Sequence, residues 1–156
     1  MNRLFHPQTQ KAKLPIVYVS ASNGELTITN KVIPERISDI RGLLVSPNIE
    51  ISLRLEERFY TWSEAKQAAA RKGASLLSVK ELEYYTKAQE DYKETVLLLR
   101  EHGATRAEWL WQGEPTWCEE DHPNDPDVAY TIEFEPLDHR LEDKTLHYWC
   151  RLVWHH

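Results

Sequence analysis

The chain has 156 residues, of which 41% are hydrophobic and 28% charged, and its formal net charge is −6 at pH 7. This length fits one globular domain with a full hydrophobic core. The acidic balance argues against a nucleic-acid partner, because phosphate backbones are bound through clustered Lys and Arg, and no basic run occurs. No apolar stretch approaches the roughly 20 residues of a membrane-spanning helix, so we expect no membrane partner.

Export from the cell is not indicated by the sequence. The first residues lack the apolar segment of a secretory signal. The only two cysteines, Cys118 and Cys150, are too few for the disulfide framework of a small secreted domain. We therefore expect a cytoplasmic protein whose cysteines form no disulfide.

The N-terminal part predicts a strand extension before the first helix. Residues 1–13 are polar and aperiodic, which is typical of a flexible arm, and residues 14–156 are expected to form one domain. In Leu14–Ser20, Ile16, Tyr18 and Ser20 alternate with Val17 and Val19, which suits a strand. Ser22-Asn23-Gly24 then has strong turn chemistry, because Asn and Gly tolerate positive φ. With Glu25–Thr29 as the return strand, the pattern predicts a β-hairpin.

Strand patterns recur on both sides of the helical region. Gly42–Ser46 and Ile49–Leu55 form a second predicted pair, joined at Pro47-Asn48. Nearer the end, Val128–Glu135 and Leu146–Trp154 alternate apolar and polar residues, which is the period of half-buried strands. Because the linker between them is polar and turn-like, we expect these two strands to pair as an antiparallel hairpin.

Two helix starts carry capping boxes, in which a Ser or Thr hydroxyl accepts an amide proton and a Glu three residues later accepts the cap's own N–H. Thr61-Trp62-Ser63-Glu64 opens an Ala-rich helix that Gly73 is suited to end. Ser78-Val79-Lys80-Glu81 opens the second helix. A weaker start at Asp91 predicts a break near Glu90-Asp91 and a further helix beyond it.

Residues in three segments carry a family resemblance: Thr61, Trp62, Glu64, Ala65, Leu76, Ser78, Glu81, Tyr148, Arg151 and Val153. They match a TWxEA helix, an L-P-(S/T)-x-x-E helix and a closing strand with an aromatic residue, Arg and Val. In these features, over roughly residues 42–154, the chain resembles uncharacterised bacterial domains of C-type-lectin-like fold, distant relatives of formylglycine-generating, sulfatase-modifying domains. The resemblance implies an α+β fold with short helices packed on antiparallel sheets.

Two positions depart from the family pattern. Leu77 stands where a Pro usually precedes the second capping box, and Trp111-Gln112-Gly113 stands where a Trp-(S/T)-(S/T) turn is usual. The second change falls where a ligand loop would lie. Formylglycine-generating enzymes use cysteines close together in the sequence, and Cys118 and Cys150 match no such arrangement, so we do not expect that activity.

No nucleophile-elbow, phosphate-loop or metalloprotease signature occurs in the chain. The resemblance implies a non-catalytic binding or interaction module of C-type-lectin-like type, without a cofactor and with a glycan or a protein as its ligand. The alternative is an enzyme or enzyme subunit with a motif-less site in the C-terminal loop region. A deep pocket with clustered His and acidic groups of shifted pKa would favour the enzyme, and a shallow aromatic surface the binding module.

A zinc site can be assembled from residue types alone. Cys118-x-x-x-His122 and His147-x-x-Cys150 supply two Cys and two His. However, side chains three apart on a strand point to opposite faces, so His147 and Cys150 cannot easily meet one ion. Cys150 also falls on the apolar face of its strand, where a free Cys behaves as a small hydrophobic residue. We expect no metal here.

The acidic stretch Glu119–Asp127 has oxygen atoms enough for calcium, which takes six to eight oxygen ligands. It lacks the sugar-site motifs of the C-type lectins and has no Gly for a sharp turn. Pro123 and Pro126 argue against a helix or a central strand. We therefore expect a solvated, mobile surface loop without bound calcium, and adjacent acids such as Glu119 and Glu120 are expected to face water.

Ligand-binding candidates come from the aromatic and charged residues of the last third. Aromatic rings supply large contact areas, and an Arg beside them can stack or clamp a carboxylate. His147, Trp149 and Arg151 are expected to share the exposed face of the last strand, although a structural role for the Arg is the commoner outcome. The candidates are Trp111, Trp117, Asp125, Asp127, Trp149 and Arg151.

Overall fold

The computed structural model describes residues 11–20, 23–31, 40–91, 114–134 and 137–156. In chain order the elements are β1 (Lys11–Ser20), β2 (Leu26–Lys31), β3 (Ile40–Ser46), β4 (Ile49–Leu55), α1 (Trp62–Arg71), α2 (Leu82–Asp91), β5 (Thr116–His122), β6 (Asp125–Phe134), β7 (Leu137–Asp143) and β8 (Arg151–His155). One antiparallel sheet has the strand order β2-β1-β3-β4-β8, and the other has the order β5-β6-β7. The predicted α+β class is confirmed.

Both predicted N-terminal hairpins are present. β1 pairs antiparallel with β2, and β3 pairs antiparallel with β4. In the first turn Gly24 has a φ of 71°, and the Asn23 side chain accepts a hydrogen bond from Glu25 N at 2.9 Å, as the turn chemistry predicts. β1 begins at Lys11, within the stretch assigned to a flexible arm, and residues 1–10 lie outside the described part.

The predicted pairing of the last two strands is wrong. The stretch expected to be a linker is β7, which pairs with β6 from Val128–Asp143 to Phe134–Leu137. β8 instead pairs with β4 in the other sheet, where Ile51 lies opposite Val153. A polar strand such as β7 is stable at the edge of a sheet, because its charged side chains stay in water and discourage further pairing.

The core consists of two clusters of buried side chains on either side of β8. The first packs α2 on the strands and includes Leu43, Ile51, Leu53, Tyr85, Phe134 and Val153. The second packs α1 on β5, β6 and β8 and includes Ala65, Ala68, Ala69, Trp117, Cys150 and Leu152. The small Ala side chains let α1 lie close against these strands.

β4 is buried on both faces, although the alternation of its apolar residues with Ser52 and Arg54 predicts a half-buried strand. Glu50 is fully buried, and its carboxylate accepts hydrogen bonds from Arg41 Nε at 2.8 Å and from Arg41 Nη2 at 2.6 Å. A Cβ on Gly42 would lie 2.4 Å from Ile51 O and 2.8 Å from Glu50 Oε2. Glycine therefore makes room for the buried Glu50 carboxylate, whose charge is stable there because the partly exposed Arg41 guanidinium donates two hydrogen bonds to it.

The two helices begin where the capping signals predict. α1 follows Thr61 and ends before Gly73, which has the left-handed φ of 64° that suits a helix stop. α2 is preceded by a short 3₁₀ turn, Val79–Glu81, that Ser78 caps. α2 is helical through Glu90 and ends the described segment at Asp91. The test of the predicted break near Glu90-Asp91 needs residues 92 and 93, which lie outside the described part, as do the predicted further helix and the short run Trp109–Trp111.

Candidate functional site

An exposed aromatic pair lies where the β4–α1 connection meets the segment before β8. The Phe59 ring is 48% exposed. It packs on the half-buried ring of Trp149, with the ring centroids 4.4 Å apart and the ring planes inclined by 52°. We refer to Phe59 and Trp149 as the aromatic pair. Exposed aromatic side chains in contact with each other are typical of surfaces that bind a ligand or a partner.

A backbone bridge brings the two rings together. Tyr60 N donates to Tyr148 O at 2.8 Å, and Tyr148 N donates to Tyr60 O at 2.9 Å, which makes an isolated antiparallel bridge. Phe59 precedes Tyr60 and Trp149 follows Tyr148, so the two residues face each other across the bridge. Such directly opposed residues are the closest side-chain neighbours that antiparallel segments offer.

Trp149 is held from three further directions. Its backbone N–H donates to Pro115 O at 3.2 Å, and its carbonyl accepts from Trp117 N at 3.0 Å. The indole Nε1 donates to the Glu114 carboxylate. A ring fixed through both its backbone and its N–H loses little conformational freedom when a ligand binds.

Two of the predicted ligand residues belong to the core. Trp117 is fully buried, and its Nε1 donates to Tyr60 O at 2.7 Å, so it supports the bridge from inside. Arg151 is also fully buried, its Nη1 donates to Ser52 O at 2.6 Å, and burial lowers the pKa of its guanidinium. The exposed face predicted for His147, Trp149 and Arg151 is not formed, because β8 begins only at Arg151 and its first three residues are all buried.

Asp125 and Asp127 are exposed at the start of β6. The Asp125 carboxylate accepts from Asp127 N at 3.0 Å, so it closes its own turn, and Asp127 O accepts from Lys144 N at 2.9 Å. Trp111 lies outside the described residues. Of the six predicted candidates, only Trp149 belongs to the aromatic pair.

The acidic stretch 119–127 is a hairpin, in contrast to the predicted mobile loop. β5 and β6 are joined by a turn at Pro123-Asn124. Pro126 is accommodated inside β6 because the register changes between the pairs Asp121–Ala129 and His122–Asp125. Pro126 lies in this irregularity, where the ladder needs no N–H from it.

The adjacent acids of this hairpin are half-buried, whereas the sequence suggested that they face water. The Glu119 carboxylate accepts from Lys66 Nζ at 2.6 Å. The Glu120 carboxylate accepts from Val79 N at 3.0 Å and from the Ser78 hydroxyl. Neighbouring side chains of a strand point in opposite directions, so β5 contacts α1 with one carboxylate and the start of the second helical segment with the other.

The pKa values of the two buried thiols are shifted away from reactivity. Cys118 and Cys150 are fully buried in different clusters. Burial raises the pKa of the Cys118 thiol well above its ordinary value and that of Cys150 to about 12. Such thiols remain protonated at neutral pH, which disfavours both nucleophilic attack and metal ligation. Across the described ranges, no three His, Cys, Asp or Glu side chains are arranged to hold a metal ion.

Phe59 was missed because it falls in the charged connection between β4 and α1. It directly follows Glu57 and Arg58, and neither strand nor helix periodicity extends over this position. A single large aromatic residue among charges in a loop is the signal that could have found it, because binding residues are concentrated on loops that a rigid scaffold positions.

No protein-family model matches the sequence, and no curated protein gives a significant match. None of the helices in the described part of the chain is long and apolar enough to cross a membrane. The geometry of the aromatic pair is therefore the main guide to function.

Proposed function

We propose that the chain is a non-catalytic binding module of C-type-lectin-like type, and that it binds a glycan on the aromatic pair. The observation that carries the proposal is that the half-exposed Trp149 ring is fixed in place and packed against an exposed Phe59. The order of elements supports the lectin-like type. The helix of Trp62 precedes the Ser78 start, and the closing strand carries Arg151 and Val153.

A glycan suits this surface better than a protein partner does. Stable protein interfaces bury roughly 800 Å² on each side, far more than two rings cover. A sugar ring has an apolar C–H face of the size of an aromatic ring, and its hydroxyls can bond to polar groups at the edge. Glu114 stands at that edge, since its carboxylate already accepts the Trp149 N–H.

Binding also suits the electrostatics better than catalysis does. The buried groups that could act as nucleophiles are the Tyr85 phenol and the two thiols, and burial raises the pKa of each. A nucleophile or general base needs a pKa moved toward neutrality. These shifts go the other way, so they are signs of tight packing.

The test is saturation-transfer NMR with maltotriose, cellotriose and chitotriose on the wild-type chain and two variants. Phe59→Ala removes the exposed ring and should weaken binding of the recognised sugar about 2- to 10-fold, the range for one aromatic contact. Tyr84→Ala is the matched control, because Tyr84 is an aromatic residue on α2 with 42% exposure. It should bind like the wild type.

The proposal is contradicted if all three sugars fail to bind, or if both variants lose binding equally. Sedimentation velocity of the same proteins tests whether a second copy of the chain, instead of a glycan, covers the aromatic pair. Self-association that Phe59→Ala abolishes and Tyr84→Ala leaves intact would assign the aromatic pair to a second copy of the chain, and would also overturn the glycan.

A further inference from the structure

A groove of about 460 Å³ lies between the end of β4 and the C-terminal half of α1. Its volume is within the range of small-molecule sites. Its apolar lining comes from Leu55, Tyr60 and Ala68, which are almost completely buried, with exposures of 6%, 8% and 4%. The short Ala68 side chain leaves space where a longer residue of α1 would fill the groove.

The charged lining is unusual for so acidic a chain. Arg54, Arg71 and Lys72 contribute three positive charges, and Glu56 and Glu57 contribute two negative ones. The groove therefore carries one net positive charge, whereas the whole chain carries −6. A local field of opposite sign concentrates small anions from solution.

The three cations differ in how they are engaged. Lys72 Nζ forms an ion pair with Glu56 Oε1 at 2.8 Å, and this hydrogen bond raises the pKa of Lys72. Arg54 is oriented by a hydrogen bond from its Nη1 to Ile40 O at 2.9 Å. The Arg71 guanidinium forms no hydrogen bond or ion pair with any residue that the structure describes. Its donors therefore point into water or toward a ligand.

We propose that this groove binds a small organic monoanion, a carboxylate carried by a ring-sized apolar group. Arg71 forms a bidentate pair with the carboxylate, since the planar guanidinium matches its two oxygens. The apolar group packs against the small exposed parts of Leu55, Tyr60 and Ala68, beside the Arg58 guanidinium that lies 4.2 Å from the Tyr60 ring centroid. One net positive charge matches a monoanion, whereas a dianionic phosphate monoester would face Glu56 and Glu57 with an excess of negative charge.

This site is separate from the proposed glycan surface. Neither ring of the aromatic pair lines the groove. Tyr60 lines the groove and also forms the backbone bridge beside the pair, but the two sites are tested with different ligands and different variants. The two proposals can therefore fail independently.

The experiment is an NMR titration of backbone amides in the full chain with benzoate, benzyl alcohol and phenyl phosphate. Benzoate should shift the amides of Arg54, Tyr60 and Arg71 together. Arg71→Gln should weaken benzoate binding about 10-fold or more, since a charge-assisted pair contributes about 1.5–3 kcal/mol. Added salt should weaken it as well.

Arg140→Gln is the matched control, because Arg140 is an arginine on β7 with a 59% exposed side chain. It should bind benzoate like the wild type, and thermal melting should show both variants folded. The proposal is overturned if benzoate shifts no groove amide, or if Arg71→Gln and Arg140→Gln bind benzoate equally. If benzyl alcohol bound as tightly as benzoate, the negative charge of the ligand would not contribute to binding and the proposal would be wrong. If phenyl phosphate bound more tightly than benzoate, the groove would prefer a dianion and the proposed monoanion would be wrong.

Discussion

The two helix starts share a sequence signature and have different structures. At Thr61 the capping box is complete, since Glu64 N donates to Thr61 Oγ1 at 3.3 Å and Thr61 N donates to Glu64 Oε1 at 3.0 Å. At Ser78 the reciprocal bond is missing. Ser78 N donates to the Tyr85 hydroxyl at 3.0 Å, and the Tyr85 hydroxyl donates to Glu81 at 3.0 Å.

Competition from distant residues explains the difference. Ser78 is buried, and β5 brings the Glu120 carboxylate against its hydroxyl and against Val79 N. With these partners in place, the first turn tightens to 3₁₀ geometry before α2 begins. Thr61 is half-exposed, and its cap depends on residues within one turn. A local motif thus predicts its own hydrogen bonds where tertiary structure supplies no better partner.

The largest effect should come from Glu120→Ala, which removes an acceptor that lies outside the Ser78–Glu81 motif but bonds to its first turn. It leaves Val79 N and the Ser78 hydroxyl without their acceptor, which should lower the free energy of unfolding by about 2–3 kcal/mol. Urea denaturation measures this loss. Glu83→Ala, at an exposed acid of α2, is the control and should change stability by less than about 0.5 kcal/mol. Equal losses in the two variants would contradict the role of Glu120.

Tyr85→Phe should have the next largest effect, about 1–2 kcal/mol, because the buried Ser78 N–H loses its acceptor. The phenyl ring keeps its place beside Phe134, where the ring centroids are 6.2 Å apart. The matched variant Tyr84→Phe removes an exposed hydroxyl and should leave the urea midpoint unchanged. A Tyr85→Phe protein as stable as the wild type would show that Ser78 caps its helix without this bond.

Thr61→Ala should cost about 1 kcal/mol, the usual loss for an N-cap hydroxyl. Because this cap depends only on residues of its own turn, its removal should cost no more than this N-cap contribution. The comparison is therefore sharpest in the ratio of the Glu120→Ala loss to the Thr61→Ala loss in the same urea series. A Thr61→Ala loss as large as that of Glu120→Ala would remove the distinction between a local and a tertiary cap.

The smallest effect is a pH dependence. Hydrogen bonds from Thr61, its backbone N–H first, lower the pKa of Glu64 below its usual 4.5. A lowered folded pKa stabilises the native state above the unfolded pKa, and this stabilisation is lost as the pH falls through the folded value. The urea midpoints of wild type and Glu64→Gln should therefore differ at neutral pH and converge below pH 4.5. A constant difference would exclude the carboxylate as the cause.

The sequence predicted the fold wherever the signal was local. The turn at Asn23-Gly24, the Thr61 cap and the strand around Ile132 are present as expected. The role of β7 was not predictable in the same way, because edge strands need no apolar face. The pairing of β8 with β4 was missed because partner choice depends on what remains unpaired after the hairpins form.

The candidate site was predictable only in part, for a related reason. Trp149 was a candidate from its residue type, and the structure leaves it half-buried. Its neighbour Phe59 is distant in sequence and becomes adjacent only through the Tyr60–Tyr148 bridge. Trp117 and Arg151 have the side chains of ligand residues, yet both are fully buried. Residue type alone does not distinguish an aromatic or Arg side chain that binds a ligand from one that fills a core.

The pairing of β4 with β8 has a consequence for the order of folding. The other strand pairings join consecutive strands or, for β1 and β3, strands with only β2 between them, whereas Ile49 meets His155 only after the intervening chain has been closed into a loop. Closing that loop costs entropy before any contact offsets it. The hairpins are therefore expected to form on a fast timescale, with the docking of β8 as the slow step. Until β8 docks, β4 has an unpaired edge that a neighbouring chain can pair with. The slower the docking of β8, the longer the folding chain is prone to aggregate.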